Sequence, residues 1–80
     1  MSRDLYRIYW DYYGPHAEKT AQHFHHHLDE MIEREGVTVR VTATGVESYT
    51  PLHSAAWCEA DYEVAKQLAQ SLKAKRSTRS

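Results

Sequence analysis

The chain has little cysteine, glycine or proline, and almost no net charge. Cys58 is the single cysteine, so no disulfide can form within the chain, which fits a reducing compartment. A domain of 80 residues buries only about 60% of the surface that its unfolded chain exposes, so its core is marginal. Without a disulfide, dimerisation is the remaining way to bury more surface. The three glycines are scattered, which excludes a glycine-rich phosphate loop.

Long apolar runs are absent as well. No stretch approaches the ~20 apolar residues of a membrane span, and no apolar segment follows the first residues as in a secretory signal. We therefore expect a cytoplasmic protein with no membrane partner. A net charge of −1 gives nucleic acid little attraction, so we do not expect a nucleic-acid partner. Four of the ten bases lie in the last eight residues, which predicts a disordered basic tail over residues 76–80.

The most informative stretch is Leu5–Tyr13, which holds four of the six tyrosines and one of the two tryptophans. Its period of two and its aromatic content predict a β-strand. One alternation is wholly apolar or aromatic and should face the core: Tyr6, Ile8, Trp10 and Tyr12. The other alternation still carries Leu5, Tyr9 and Tyr13. We therefore expect a second copy of the chain to cover this second face.

The rest of residues 1–75 predicts two helices and two further strands in a single domain. A helix is expected over residues 15–35, ended by Gly36, because apolar residues recur every three or four positions. Alternation predicts strands over residues 37–44 and 52–60, with Gly45 at a bulge or bend and the hairpin tip at residues 48–51. Asp61 is a suitable N-cap for a second helix that ends near residues 73–75.

This element order, βαββα, predicts an α+β fold with both helices on one face of a three-stranded sheet. Right-handed crossover would place strand three parallel to strand one, and strands two and three would form an antiparallel hairpin. The sheet order is then 1-3-2. The arrangement resembles the ferredoxin-like split βαβ fold without its last strand. Strand one would become an exposed edge, so a homodimer could form through that edge or by face-to-face packing of two sheets.

Histidines are concentrated in the first helix. His23 and His27 are four residues apart and should share a helix face, where two imidazoles can bind one zinc, nickel or copper ion. Glu30 could add an oxygen ligand, whereas His16 would lie about 10 Å from His23 along the helix. The His-Glu-x-x-His motif of zinc proteases is absent. The alternative is a polar helix flank without metal.

A second candidate site lies on the predicted sheet. We expect His53 and Trp57 on the face away from the helices, together with Arg7 and Tyr9. These residues would form an aromatic floor with one titratable group. Tyr9, His53 and Trp57 could line a small-molecule pocket, with His53 as general acid or base, if two sheets close over them as in dimeric α+β barrels. The alternative is a plain dimer interface.

Enzymatic signatures are otherwise lacking. Cys58 is five residues from His53 on a strand, so the two should point to opposite faces, and Cys58 should be buried and inert. The acids near the end of the first helix suggest a solvated surface rather than a catalytic pair. The simplest prediction is a homodimeric binding or interaction domain without catalytic chemistry. A ligand-binding cleft at His53 and metal binding by the helix histidines remain alternatives.

Overall fold

Two helices and four strands follow one another in the order βαββαβ along residues 4–79, the part of the chain that the computed structural model describes. The elements are β1 (Leu5–Tyr13), α1 (Ala17–Glu35), β2 (Val41–Thr50), β3 (His53–Asp61), α2 (Tyr62–Leu72) and β4 (Arg76–Arg79). The predicted α+β class is confirmed. Neither helix within these residues is long and apolar enough to span a membrane. Residues 1–3 of the predicted domain and Ser80 of the predicted tail lie outside the described residues.

The sheet has four strands in the order β2-β3-β1-β4, and every neighbouring pair is antiparallel. The prediction of three strands with a parallel pair between strands one and three is therefore wrong. The crossover through α1 connects β1 with β2, and these two strands run in the same direction because each is antiparallel to β3. The hairpin then returns β3 into the gap between them. The right-handed crossover rule therefore applies to β1 and β2, which run in the same direction on either side of β3, and not to β1 and β3.

The strand that was expected to be missing is present as β4. Residues 76–79, predicted to belong to a disordered tail, pair antiparallel with Tyr6–Tyr9. The backbone N–H of Lys75 also donates to the carbonyl of Tyr9 at 2.8 Å. β1 is therefore an inner strand along its first half, because its free backbone groups bind the returning chain. The polar sequence Arg-Ser-Thr-Arg gives no alternating apolar signal from which this strand could be predicted.

Both helices pack on one side of the sheet, as predicted. Ile8 and Trp10 are 2% and 3% exposed, and Tyr6 and Tyr12 pack against the same core. The indole of Trp10 donates to the carbonyl of Leu72 at 3.0 Å, which ties β1 to the end of α2. Helix residues complete the core: Leu28 and Ile32 from α1, and Val64, Ala65 and Leu68 from α2. This arrangement leaves the other side of the sheet without helices.

Local signals predicted the helix ends well. Gly36 has φ of 72° and ends α1, and the Asp61 carboxylate accepts the N–H of Val64 at 3.0 Å at the start of α2. The second strand begins at Val41 rather than Val37, since Thr38–Arg40 forms a 3₁₀ turn. Arg40 binds the Asp61 carboxylate at 2.7 and 3.1 Å, which fixes this turn against α2.

Candidate functional site: the open face of the sheet

We call the side of the sheet opposite both helices the open face. Residues directly opposite in neighbouring strands point to the same side, and the register pairs Tyr9 with Trp57 and Tyr13 with His53. The structure thus brings the predicted ligand-binding residues Tyr9, His53 and Trp57 to one face. Arg76 of β4 is opposite Tyr9 and joins them. Other members of the open face are Arg7, Asp11, Ala55 and Glu59.

Two arginines cover the aromatic rings of the open face. The guanidinium carbon of Arg7 lies 4.0 Å from the ring centroid of Trp57, and that of Arg76 lies 3.9 Å from the ring of Tyr9. Such cation–π contacts contribute about 0.5–1 kcal/mol each at exposed sites. Arg7 also binds Glu59 at 3.3 Å. The predicted aromatic floor therefore exists, but the chain's own cations lie over it.

Gly45 makes room for the Trp57 ring. A Cβ at position 45 would lie 2.8 Å from Cζ2 of Trp57, a distance that side-chain carbons do not tolerate. The register shifts of β2 fall at Val41/Ala43 and Ser48/Thr50, whereas Gly45 pairs regularly with Trp57. The bulge expected at Gly45 is therefore absent, and the glycine serves close side-chain approach instead.

Asp11 is the polar centre of the open face. Its carboxylate accepts hydrogen bonds from Nε and Nη2 of Arg76 at 3.0 and 3.2 Å and contacts Nε2 of His53 at 2.8 Å. Asp11 is 9% exposed, and this burial opposes ionisation. The hydrogen bonds and charges of Arg76 and His53 outweigh it and hold the pKa of Asp11 below its ordinary value. In turn, the hydrogen bond to Asp11 raises the pKa of Arg76.

The imidazole of His53 lies between two tyrosines. Its ring is stacked with Tyr13, with centroids 4.4 Å apart and planes 14° apart, and it also contacts Tyr49 at 4.7 Å. Since the ionised Asp11 carboxylate can only accept a hydrogen bond, a neutral His53 ring carries its hydrogen on Nε2 and presents a lone pair at Nδ1. Within residues 4–79, that nitrogen has no hydrogen-bond partner. This geometry suits a hydrogen-bond acceptor or a general base.

Sequence analysis missed three members of this cluster. Asp11 lies between Tyr9 and Tyr13 in the second alternation of the first strand, and a carboxylate between two tyrosines on a strand is the sequence signal that points to it. Arg76 was assigned to the tail, and Tyr49 to the hairpin tip. The hydroxyl of Tyr49 accepts a hydrogen bond from Nη2 of Arg76 at 2.6 Å. The pairing of β4 with β1 brings Arg76 to the cluster, whereas Asp11 and Tyr49 reach His53 through the pairing of β3 with β1 and β2.

The helix histidines form a separate pair, as their spacing predicted. The Nε2 atoms of His23 and His27 are 3.1 Å apart, and their rings are inclined by 77°. Nδ1 of His27 lies 3.3 Å from the Glu30 carboxylate. His16 precedes the first residue of α1 and does not join them. Within residues 4–79, no group of three or more histidine, cysteine or acidic side chains could hold a metal ion.

Cys58 is fully buried on the helix side of β3. Burial raises the pKa of its thiol to about 12, with further contributions from the negative charges of Asp29 and Glu59. It points away from the open face, where His53 lies, so the two cannot act as a nucleophile and base. The expectation of a buried thiol agrees with this placement.

Comparisons with protein-family models, with curated proteins and with solved structures each found no match for this chain. The contacts of the open face and of the histidine pair are therefore the basis for assigning a role.

Proposed function

We propose that this chain is a homodimeric binding domain in which the open face of the sheet meets a second copy. The observation that carries the proposal is the placement of both helices on the opposite side of the sheet. No helix within residues 4–79 covers the open face. Arg7 and Arg76 lie over the rings of Trp57 and Tyr9, but the tyrosines at the His53 end of this face remain exposed. Tyr13 is 73% exposed, and Tyr49 beside it is 40% exposed. The βαββαβ order also supports a complete ferredoxin-like arrangement, which leaves one sheet face open.

Charge supports a second copy as the occupant. The open face carries the cations Arg7 and Arg76 and the anions Asp11, Glu47 and Glu59, and within the chain Arg7 pairs with Glu59 and Arg76 with Asp11. A two-fold axis brings the same patch of both subunits together, so a patch that holds both signs is complementary to itself. Because these ion pairs leave the face without a strong charge of one sign, the face does not favour a partner of strong opposite charge.

The size of the chain gives a further reason. A domain of 80 residues has a marginal core, and burial of exposed aromatic surface stabilises it by about 25 cal/mol per Å². Tyr13 and Leu52, at 73% and 57% exposed, lie at the His53 end of the sheet. The carbonyl of Leu52 accepts a hydrogen bond from the N–H of Gly14 at 2.8 Å. This bond holds Leu52 close to Tyr13, the residue before Gly14. This end of the open face should therefore form the centre of the contact.

The proposal is tested by sedimentation across micromolar to near-millimolar concentrations, with two tyrosine variants. Tyr13→Glu adds a charge to the open face, whereas Tyr62→Glu adds the same charge to α2, at a tyrosine that is 54% exposed. We expect dimers for the unmodified chain, about tenfold or more weaker association for Tyr13→Glu, and unchanged association for Tyr62→Glu. A single 9.3 kDa species throughout the range would refute the proposal.

The contact between Asp11 and His53 favours a second role, in which a small molecule binds at the His53 end of the open face. An imidazole oriented by a buried carboxylate can accept a proton or a hydrogen bond from a ligand. A fragment screen followed by amide and indole NMR shifts tests this role. We expect hits to perturb Asp11, His53 and Trp57 and to disappear in His53→Ala. Hits that persist in that variant would exclude His53 as their site.

A further inference from the structure

We propose that His23 and His27 form a two-imidazole chelate for a divalent transition-metal ion of the copper, nickel and zinc class. The site is on α1, away from the open face, and does not depend on dimer formation. Its first support is the hydrogen bond of 3.1 Å between the two Nε2 atoms, in which a metal ion would take the place of the shared hydrogen. Metal–nitrogen bonds of about 2.0–2.1 Å at angles of about 90–110° require two nitrogens about 2.9–3.4 Å apart. The pair already has the separation that one ion needs.

The second support is the carboxylate behind His27. Oε1 of Glu30 lies 3.3 Å from Nδ1 of His27, the nitrogen opposite the one that faces His23. A carboxylate in this position holds the hydrogen on Nδ1, leaves the lone pair on Nε2, and increases the basicity of the ligand. Glu30 is therefore a positioning residue for His27. Spacings of four and three residues place all three side chains on neighbouring turns of one helix.

Accessibility and donor type define the ligand. His23 and His27 are both exposed, so an ion can reach them and complete its coordination with water. Two imidazoles favour borderline metals, and affinity should follow the usual order, with copper above nickel and zinc. Two protein ligands give a weaker site than the three or four of structural zinc centres. The chemistry points to reversible binding of an exchangeable ion.

His26 provides a matched control because it is exposed on the same helix and reaches the same glutamate. Its Nε2 lies 3.8 Å from the Glu30 carboxylate, but the His23–His27 nitrogen pair does not include it. Replacement of His26 by alanine therefore removes an exposed imidazole while the chelate stays intact. Exposed alanine substitutions within α1 should leave the fold unchanged, which circular dichroism can verify.

The test is calorimetric titration of the tag-free chain with copper, nickel and zinc salts. We expect about tenfold or greater loss of affinity in His23→Ala and in His27→Ala, a smaller loss in Glu30→Gln, and no loss in His26→Ala. The copper complex of the unmodified chain should show nitrogen couplings from two imidazoles by electron paramagnetic resonance, and one in either alanine variant. Unchanged affinity in His23→Ala or His27→Ala, or an equal loss in His26→Ala, would overturn the chelate.

Discussion

Arg76 holds Asp11 through two of its nitrogens, at 3.0 and 3.2 Å, although 65 positions separate the two residues in the sequence. The same guanidinium lies 3.9 Å over the ring of Tyr9 and donates to the hydroxyl of Tyr49. One side chain from a four-residue strand thus connects β1, β2 and β4. The contact between Arg76 and Asp11 therefore both holds β4 against β1 and positions the carboxylate of the candidate site.

The first prediction concerns the two arginines of β4. Arg76→Ala should lower the free energy of unfolding by about 2 kcal/mol, because it removes charge-assisted hydrogen bonds from a buried carboxylate, although the 41% exposure of Arg76 weakens them. Arg79→Ala should change stability little, because its ion pair with Asp4 is exposed. Urea unfolding of both variants measures the difference. Equal losses would indicate that Arg76 acts only as another surface cation.

The second prediction concerns acid stability. The pKa of Asp11 is lowered in the fold, so its ionisation stabilises the fold fully above its ordinary pKa of 3.8. That contribution is lost as the pH falls from this value through the lowered pKa. Asp11→Asn should therefore be less stable at neutral pH and should show a flatter decline of unfolding free energy below pH ~4. Parallel pH curves for the variant and the unmodified chain would contradict this role.

The third prediction concerns Gly45. Replacement of a strand glycine by alanine normally stabilises by about 0.5–1 kcal/mol. Here a Cβ meets Trp57 at 2.8 Å, so Gly45→Ala should destabilise by about 1–3 kcal/mol and alter tryptophan near-ultraviolet circular dichroism. Glu47→Ala, two positions along β2, is the control and should leave that spectrum unchanged. A Gly45→Ala protein with raised stability would show that the ring moves freely.

The fourth prediction concerns Cys58. Because burial raises the pKa of the thiol to about 12, it should stay protonated and shielded at neutral and mildly alkaline pH. A disulfide reagent at pH 8 should react slowly with the folded chain and rapidly in denaturant. An aromatic disulfide reagent releases a coloured thiolate when it reacts with a cysteine. Since Cys58 is the single cysteine, the colour reports on this position alone. Rapid reaction with the folded chain would mean that β3 opens under native conditions.

Elements with strong local signals could be predicted from the sequence. The apolar stripe and Gly36 defined α1, and Asp61 marked the start of α2, because caps and amphipathic spacing depend on residues close in sequence. The alternation in β1 also identified the face that holds Tyr6, Ile8, Trp10 and Tyr12. The same alternation put Tyr9 on the other face, where the structure places it.

Features that depend on distant residues could not be predicted. β4 is four polar residues long, and its pairing with β1 follows from the position of the chain after α2 rather than from its own composition. The contact between Asp11 and Arg76 could not be foreseen without that pairing. The direction of β3 likewise depends on the sheet as a whole. The crossover through α1 places β1 and β2 one strand apart, and β3 lies between them, antiparallel to both.

The ion pair between Asp4 and Arg79, at 2.8 Å, brings the two ends of the described chain to the same corner of the sheet. His53 lies at the other end of β1, about 25 Å away along a strand of this length. A fluorescent label attached at Asp4 or Arg79 would therefore lie far from His53. A short linker that joins Arg79 to Asp4, with the chain cut between Pro51 and Leu52, should yield a circular permutant with the same sheet order.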